Sequence, residues 1–196
     1  MSLKIGVLMG GDSDERIVSI STGNEVLKAF EKLGYNAKKI LINDDFKSSL
    51  EEFKKQDLVF NALHGGKGED GKIQQWMNLN NIKYTGSGST SSALCMDKAR
   101  SKDFAKIMGI CTPRWQLFSN RSETIKLQFP FVVKPNKQGS TFGLTVVKSE
   151  KELPLAIETA FQYGEDVIAE EYIQGREVTV PILGESVYPI LEIVPS

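Results

Sequence analysis

KIGVLMGGDSDER, running from Lys4 to Arg16, decides the fold. Lys4–Met9 is an apolar run rich in β-formers, and it stops at Gly10-Gly11. Behind the turn, Val26, Leu27, Phe30 and Leu33 recur at helical spacing within Glu15–Leu33, with Gly34 as the stop signal. Ala37–Ile42 and Leu58–Leu63 repeat the strand pattern. Lys72–Asn80 reads as a short helix carrying Ile73, Trp76 and Met77, and Ser89–Met108 as one longer helix closed by Gly109. Strand and helix alternating in this rhythm predict an open sheet of parallel strands with helical crossovers.

After Thr112-Pro113 the texture changes. Trp115–Phe118, Phe129–Lys134, Leu144–Lys148, Val167–Glu170, Glu177–Leu183 and Ser186–Ile190 read as strands, the last two joined by a tight turn at Gly184-Glu185. One helix interrupts them. Ser149-x-x-Glu152 predicts a capping box, and Leu153, Ala156, Ile157, Ala160 and Phe161 follow at i, i+3, i+4, i+7 and i+8. Pro154 is expected to cost one backbone bond in the first turn. The fold class is therefore α/β: an N-terminal parallel-sheet domain at 1–112, then a mostly antiparallel α+β domain at 113–196.

Composition narrows the function. The chain has 196 residues, 24 Lys+Arg against 25 Asp+Glu, and 40% hydrophobic residues. A net charge of −1 argues against a nucleic-acid or polybasic membrane surface as the main partner. No apolar run approaches a membrane span, and Met1-Ser2-Leu3-Lys4 does not open a secretory signal. Cys95 and Cys111 make no disulfide framework. The expectation is a cytoplasmic, soluble protein.

Four segments could carry chemistry. The Gly10–Arg16 turn lies where a strand hands over to a helix, at the edge where open parallel sheets bind ligands. Asp12, Ser13 or Asp14 could cap the helix there, or a carboxylate could grip a ligand ammonium. His64, the only histidine, opens the glycine-rich Gly65–Gly71 loop and is either structural or a ligand contact. With no second His or Cys nearby, it does not read as a metal ligand. Gly66–Lys72 nearly spells a P-loop, but Ile73 stands where its hydroxyl residue belongs, and no dinucleotide fingerprint is present. Lys134 and the loop closed by Gly139 and Gly143 suit phosphate, although a plain hairpin loop fits the same length. On a strand, Glu170 and Glu171 face opposite ways, so one can enter a cleft while the other is solvated.

Together these segments resemble the D-alanine–D-alanine ligase family of the ATP-grasp enzymes. The matching words are KIGVLMGGDSDERIVS at Lys4–Ser19, ALHGGKGEDG at Ala62–Gly71, YTGSGSTSSALCMDKARSK at Tyr84–Lys102, VVKPNKQGSTFG at Val132–Gly143 and IAEEYIQGREVTV at Ile168–Val180. They occur in order along nearly the whole chain. The resemblance implies a Rossmann-like substrate domain followed by part of an ATP-grasp domain. It implies a ligase that phosphorylates one D-alanine carboxylate from ATP. The amine of a second D-alanine then attacks the acyl phosphate, for peptidoglycan precursor synthesis. D-Alanyl-D-lactate or D-alanyl-D-serine ligation, and a non-catalytic fragment, are the alternatives.

Carried onto this sequence, the resemblance implies Glu15 on the ammonium of the first D-alanine, oriented by Ser140 as its catalytic partner, with His64 beside the substrate carboxylate. Lys98 and Lys134 would contact ATP phosphates under a loop containing Gly139, Ser140, Thr141 and Gly143. Glu170 would accept from the adenine amino group, Tyr172 would pack on the ring, the Ile173 backbone would read its edge and Glu177 would bind the ribose. Gly86 and Ser87 are assigned only local packing. Mg2+ or Mn2+ is implied, with ligands beyond residue 196, as is a homodimer. On this reading the chain is C-terminally truncated relative to the family and does not make the dipeptide alone, and the apolar face of Glu177–Val194 is left exposed.

Overall fold

The computed structural model describes residues 3–43 and 45–194, so the N-terminal Met1-Ser2 pair on which the leader reading rests lies outside it. The first sheet has three parallel strands in the order β2-β1-β3: β1 (Lys4–Gly10), β2 (Asn36–Ile42) and β3 (Leu58–Asn61). Tyr84 adds a parallel bridge to Val59. β1 is the central strand and is buried on both faces, as a strand covered by crossover helices must be. Ile5, Val7 and Met9 pack under Val26, Leu27 and Phe30 of α1 (Arg16–Lys32). Leu8, on the other face, joins Ile40, Phe53 of α2 (Leu50–Lys54), and Ile73 and Met77 of α4 (Lys72–Leu79). Between β3 and α4 lies a single turn, α3 (Gly66–Glu69).

The helix expected over 89–108 is two. α5 (Ser89–Met96) and α6 (Lys98–Ile107) are separated by Asp97, which adopts extended backbone with φ −88° and ψ 100°. The Asp97 carboxylate accepts from Arg100 N, capping α6, so a capping residue read as helix interior marks the break.

The second sheet is antiparallel in the order β4-β7-β5-β6: β4 (Trp115–Phe118), β5 (Phe131–Pro135), β6 (Thr145–Val147) and β7 (Val167–Glu171). One face packs on α7 (Leu153–Phe161), through Phe131, Val133, Val147 and Ala169 against Ala156, Ile157 and Ala160. The other face carries Val132 opposite Glu170 and Lys134 opposite Ile168. β5 starts two residues later than expected, because Pro130 has no N–H for the ladder. The capping box is only half formed: Glu152 accepts from Ser149 Oγ and Lys148 N, while the Ser149 side chain caps nothing. Pro154 costs no bond, since it falls in the first turn of α7, where N–H groups have no helical partner.

The strand expected over 177–183 is two, β8 (Glu177–Thr179) and β9 (Ile182–Leu183), with Pro181 between them. The expected Gly184-Glu185 hairpin joins β9 to β10 (Ser186–Val187), and β11 (Leu191–Ile193), which was not foreseen, pairs with β8. These strands bury nothing: Val178, Ile182, Leu183, Val187, Ile190 and Val194 are all exposed. The expected exposure of this apolar segment is what the structure shows. Among the described residues no helix is long and apolar enough to cross a membrane.

Candidate active site

The turn after β1 is fixed by backbone and by one serine. Gly10 has φ +99°, and a Cβ on it would lie 2.3 Å from the Ile42 carbonyl oxygen, so only glycine fits. Ser19, buried on α1, accepts from Gly10 N at 2.9 Å and donates to Ala62 O at 2.8 Å, pinning the first turn of α1 over the carboxyl ends of β1 and β3. Arg16 adds bonds to Gly11 O, Ile42 O and Asn43 Oδ1.

That anchoring sets Glu15, the residue before α1. No side chain caps this helix. Asp12 instead pairs with Lys67, Asp14 accepts from Gln138 Nε2, and Ser13 donates to His64 O. The capping reading of this turn is therefore corrected, and Glu15 is released for another partner. Glu15 is only 6% exposed. Its Oε2 accepts from Ser140 Oγ at 2.5 Å, across 125 residues of sequence. Its Oε1 accepts no hydrogen bond among the described residues and faces a cradle of two glycines. A Cβ at Gly65 would come within 2.9 Å of that oxygen and one at Gly139 within 3.0 Å. His64, the residue before Gly65, is half-buried, its Nε2 3.1 Å from Thr22 Oγ1 on α1.

The loop after β5 supplies the opposite wall. Ser140 and Thr141 both adopt left-handed backbone, with φ 47° and 60°, an uncommon conformation for residues with a Cβ. Phe142 N bonds Gly139 O and Leu144 N bonds Thr141 O, so the loop is built of consecutive tight turns. Gly143 has φ +69° and sits against Pro135 and Tyr163, where a Cβ would meet ring atoms at 2.9 Å.

Lys98 opens α6 and reaches this loop, donating to Gln138 O at 2.6 Å and Asn136 O at 3.3 Å. Burial, and then the charge of Lys134, hold its ammonium below the usual lysine range. Asn136, 1% exposed, clasps the start of α6 to the end of β5. Its Oδ1 accepts from Ala99 N and its Nδ2 donates to Asp97 Oδ1, both at 2.9 Å, while its carbonyl accepts from Lys98 N. Against the upward push of burial, hydrogen bonds from Asn136 and Arg100 keep the Asp97 carboxyl below its ordinary range.

Lys134 and Glu170 are diagonal neighbours on the open face of the second sheet and form an ion pair. Glu170 also pairs with Lys102 at 2.9 Å. Glu171, on the opposite face as the alternation requires, pairs with Arg114 instead. Tyr172, Ile173 and Glu177 follow β7 and are exposed. A cavity of about 690 Å3 opens beside Lys98, lined also by Asn61, Thr85, Ser87, Gln138 and Gly139. The structure thus gathers Glu15, Gly139 and Ser140 at one end and Lys98, Lys134 and Glu170 at the other. Tyr172, Ile173 and Glu177 are not gathered with either group and stay exposed.

Asp97, Asn136 and Lys102 were not singled out in the sequence. The spacing of Lys98 and Lys102, i to i+4, was the available sign for the last, since it puts both on one helical face.

Two family models match the chain: D-ala D-ala ligase N-terminus over residues 43–87 and D-ala D-ala ligase C-terminus over residues 104–196. A D-alanine–D-alanine ligase of Geobacter sulfurreducens is 41% identical over 98% of this chain, which spans 62% of that protein. A crystal structure of D-alanine–D-alanine ligase from Bacillus anthracis complexed with ATP superposes with a TM-score of 0.84 at 37% identity, covering 100% of this chain and 67% of that one. The VanG D-Ala:D-Ser ligase from Enterococcus faecalis gives 0.81 at 30% identity, over 98% and 70%. The fold is that of the ATP-grasp ligases. The chain belongs to the D-alanine–D-alanine ligase family.

Proposed function

We propose that this protein joins two D-alanines into D-alanyl-D-alanine at the expense of ATP, in the cytoplasm and as a homodimer, for peptidoglycan precursor synthesis. The residues described here hold ATP and the first D-alanine. The observation that carries this reading is the Glu15 carboxylate: one oxygen is tied to Ser140, the other is open between Gly65 and Gly139, and the cationic wall stands beyond. The change of texture near Pro113 supports two domains, with this cleft between them.

In this reading Glu15 Oε1 takes the ammonium of D-alanine, a charge-assisted bond in a partly desolvated site. His64 lies beside the substrate carboxylate. Lys98 and Lys134 draw the ATP phosphates toward that carboxylate and stabilise the phosphoryl group in flight. The carboxylate oxygen attacks the γ-phosphorus, ADP leaves, and the acyl phosphate gains a leaving group that a bare carboxylate lacks. The loop at 139–143 covers the site and keeps water from the acyl phosphate. The second amine then attacks the carbonyl carbon and inorganic phosphate departs. At the far end, Glu170 accepts from the adenine amino group, Tyr172 packs on the ring, Ile173 reads its edge through the backbone and Glu177 takes the ribose hydroxyls.

Magnesium or manganese would supply positive charge to the phosphoryl group during its transfer. Among the described residues no group of three or more His, Cys, Asp or Glu is placed to hold a metal ion. The residues present do not fit one, and no step above is assigned to it. Its ligands are proposed to lie in segments that relatives carry and this chain does not match, and the 196 residues are proposed not to turn over by themselves. The uncovered apolar face of β8 to β11 supports further chain packing there. The likeness to a D-Ala:D-Ser ligase favours one second reading, D-serine as the second amine.

Lys134→Ala tests the nucleotide assignment. Removing a cation from a partly buried phosphate site is expected to weaken ATP binding by roughly 1.5–3 kcal/mol, read by calorimetry on the full-length protein. Unchanged ATP affinity overturns the assignment.

A further inference from the structure

Lys102 stands one helical turn after Lys98 on α6, and its ammonium is 2.9 Å from Glu170 Oε2. Both side chains are nearly closed off, at 11% and 12% exposure. Glu170 Oε1 is taken by Lys134, from the other side of the carboxylate. One acidic group thus stands between a lysine of β5 and a lysine of α6, with Lys98 close enough to feel the charges of Lys134 and Glu170. Among the described residues, apart from Glu170, Lys102 reaches only the Pro113 carbonyl, at 3.4 Å.

Two roles assigned above compete for the same atoms. Phosphate competes with Glu170 for the Lys134 ammonium, and the adenine amino group competes with Lys134 for the lone pairs of Glu170 Oε1. Binding ATP therefore draws the Lys134 ammonium from the carboxylate toward phosphate. Without Lys102 to remain on it, burial would push that carboxylate toward its protonated form as Lys134 is drawn away. Once protonated it would donate a hydrogen bond, and so would suit a 6-oxo purine as well as adenine.

We propose that Lys102 is a positioning residue for nucleotide choice: it stays on Glu170 Oε2 when Lys134 leaves, keeping the carboxylate fixed and ionised so that Oε1 accepts from the 6-amino group of adenine. The inference rests on the nucleotide reading given above. An ionised carboxylate only accepts, so it repels the 6-oxo group of inosine or guanosine triphosphate. Against the upward push of burial, hydrogen bonds from Lys102 and Lys134 already hold the Glu170 carboxyl below the ordinary range. Lys134 is the exchangeable partner because phosphate competes for it, and Lys102 the permanent one because the Pro113 carbonyl and α6 hold it in place.

The test is calorimetric binding of ATP and of inosine triphosphate to the full-length protein, with thermal melting alongside. Four versions are compared: wild type, Lys102→Met, Lys102→Gln and Lys102→Arg. Wild type is expected to prefer ATP by about tenfold or more. The Met and Gln versions are expected to lose most of that preference, chiefly through weaker ATP binding, and the Arg version to keep it. Rescue by arginine separates the effect of charge from packing. A folded Met or Gln variant with the wild-type ratio overturns the proposal. Equal binding of both nucleotides by wild type overturns it too, while leaving the phosphate contacts standing. Failure of wild type to bind either nucleotide overturns the underlying reading.

Discussion

Asn136→Ala is expected to lower the stability of the fold by about 3 kcal/mol and to weaken ATP binding about tenfold where the variant is still folded. The side chain is 1% exposed and satisfies two groups that have no solvent to turn to. Without it the Ala99 N–H is left bare, and the Asp97 carboxylate keeps only its bonds to Arg100 and Lys137. A buried donor left unpaired costs more than the mean net worth of a hydrogen bond, and here a charged acceptor is weakened as well. The binding loss has a separate cause. Lys98 opens the helix that Asn136 clasps, so a loosened clasp lets its ammonium wander from the phosphate wall. Thermal melting and ATP calorimetry on the same preparation check both halves. An unchanged midpoint contradicts the packing argument; a destabilised variant with wild-type ATP affinity contradicts the coupling to Lys98.

Glu15→Gln is expected to raise the D-alanine concentration needed for half-maximal turnover by about 100-fold, with the melting temperature nearly unchanged. Glutamine keeps the shape, and its amide oxygen still accepts from Ser140. What it loses is the negative charge facing an ammonium. Because no side chain caps α1, little of the helix depends on this carboxylate. Steady-state kinetics of the full-length protein with D-alanine varied at saturating ATP give the result. A large fall in melting temperature with an unaltered D-alanine requirement would return Glu15 to a structural role.

The parallel layer was legible because one period of 3.6 and several apolar runs agree with each other over the first 80 residues. β1 to β3 and α1 fall within two residues of their expected ends. The break at Asp97 was not legible. Leu94, Met96, Ala99 and Ala105 keep helical character across it, which masks the local cap of Asp97 on Arg100 N and the tertiary bond to Asn136, 39 residues away, that holds it there. Glu15 and Ser140 could be named from motif words, yet nothing local to either shows that they touch across 125 residues. Lys102 was hidden for a different reason: an isolated lysine on a charged helix reads as solvated surface, and its burial depends on a strand that comes 65 residues later. The alternation of Glu170 and Glu171 was readable, since period two alone sends them to opposite faces. Which face is the cleft depends on α7 covering the other.

The central claim is that one cleft holds ATP at the lysines and a D-amino acid at Glu15. Phosphate release from ATP by the full-length protein, with magnesium present and D-alanine or L-alanine added, tests it most directly. The account predicts that D-alanine drives phosphate release, that L-alanine does not, and that Glu15→Gln shifts the D-alanine response to far higher concentration. Phosphate release indifferent to D-alanine, or unaltered in the Glu15→Gln variant, would contradict it.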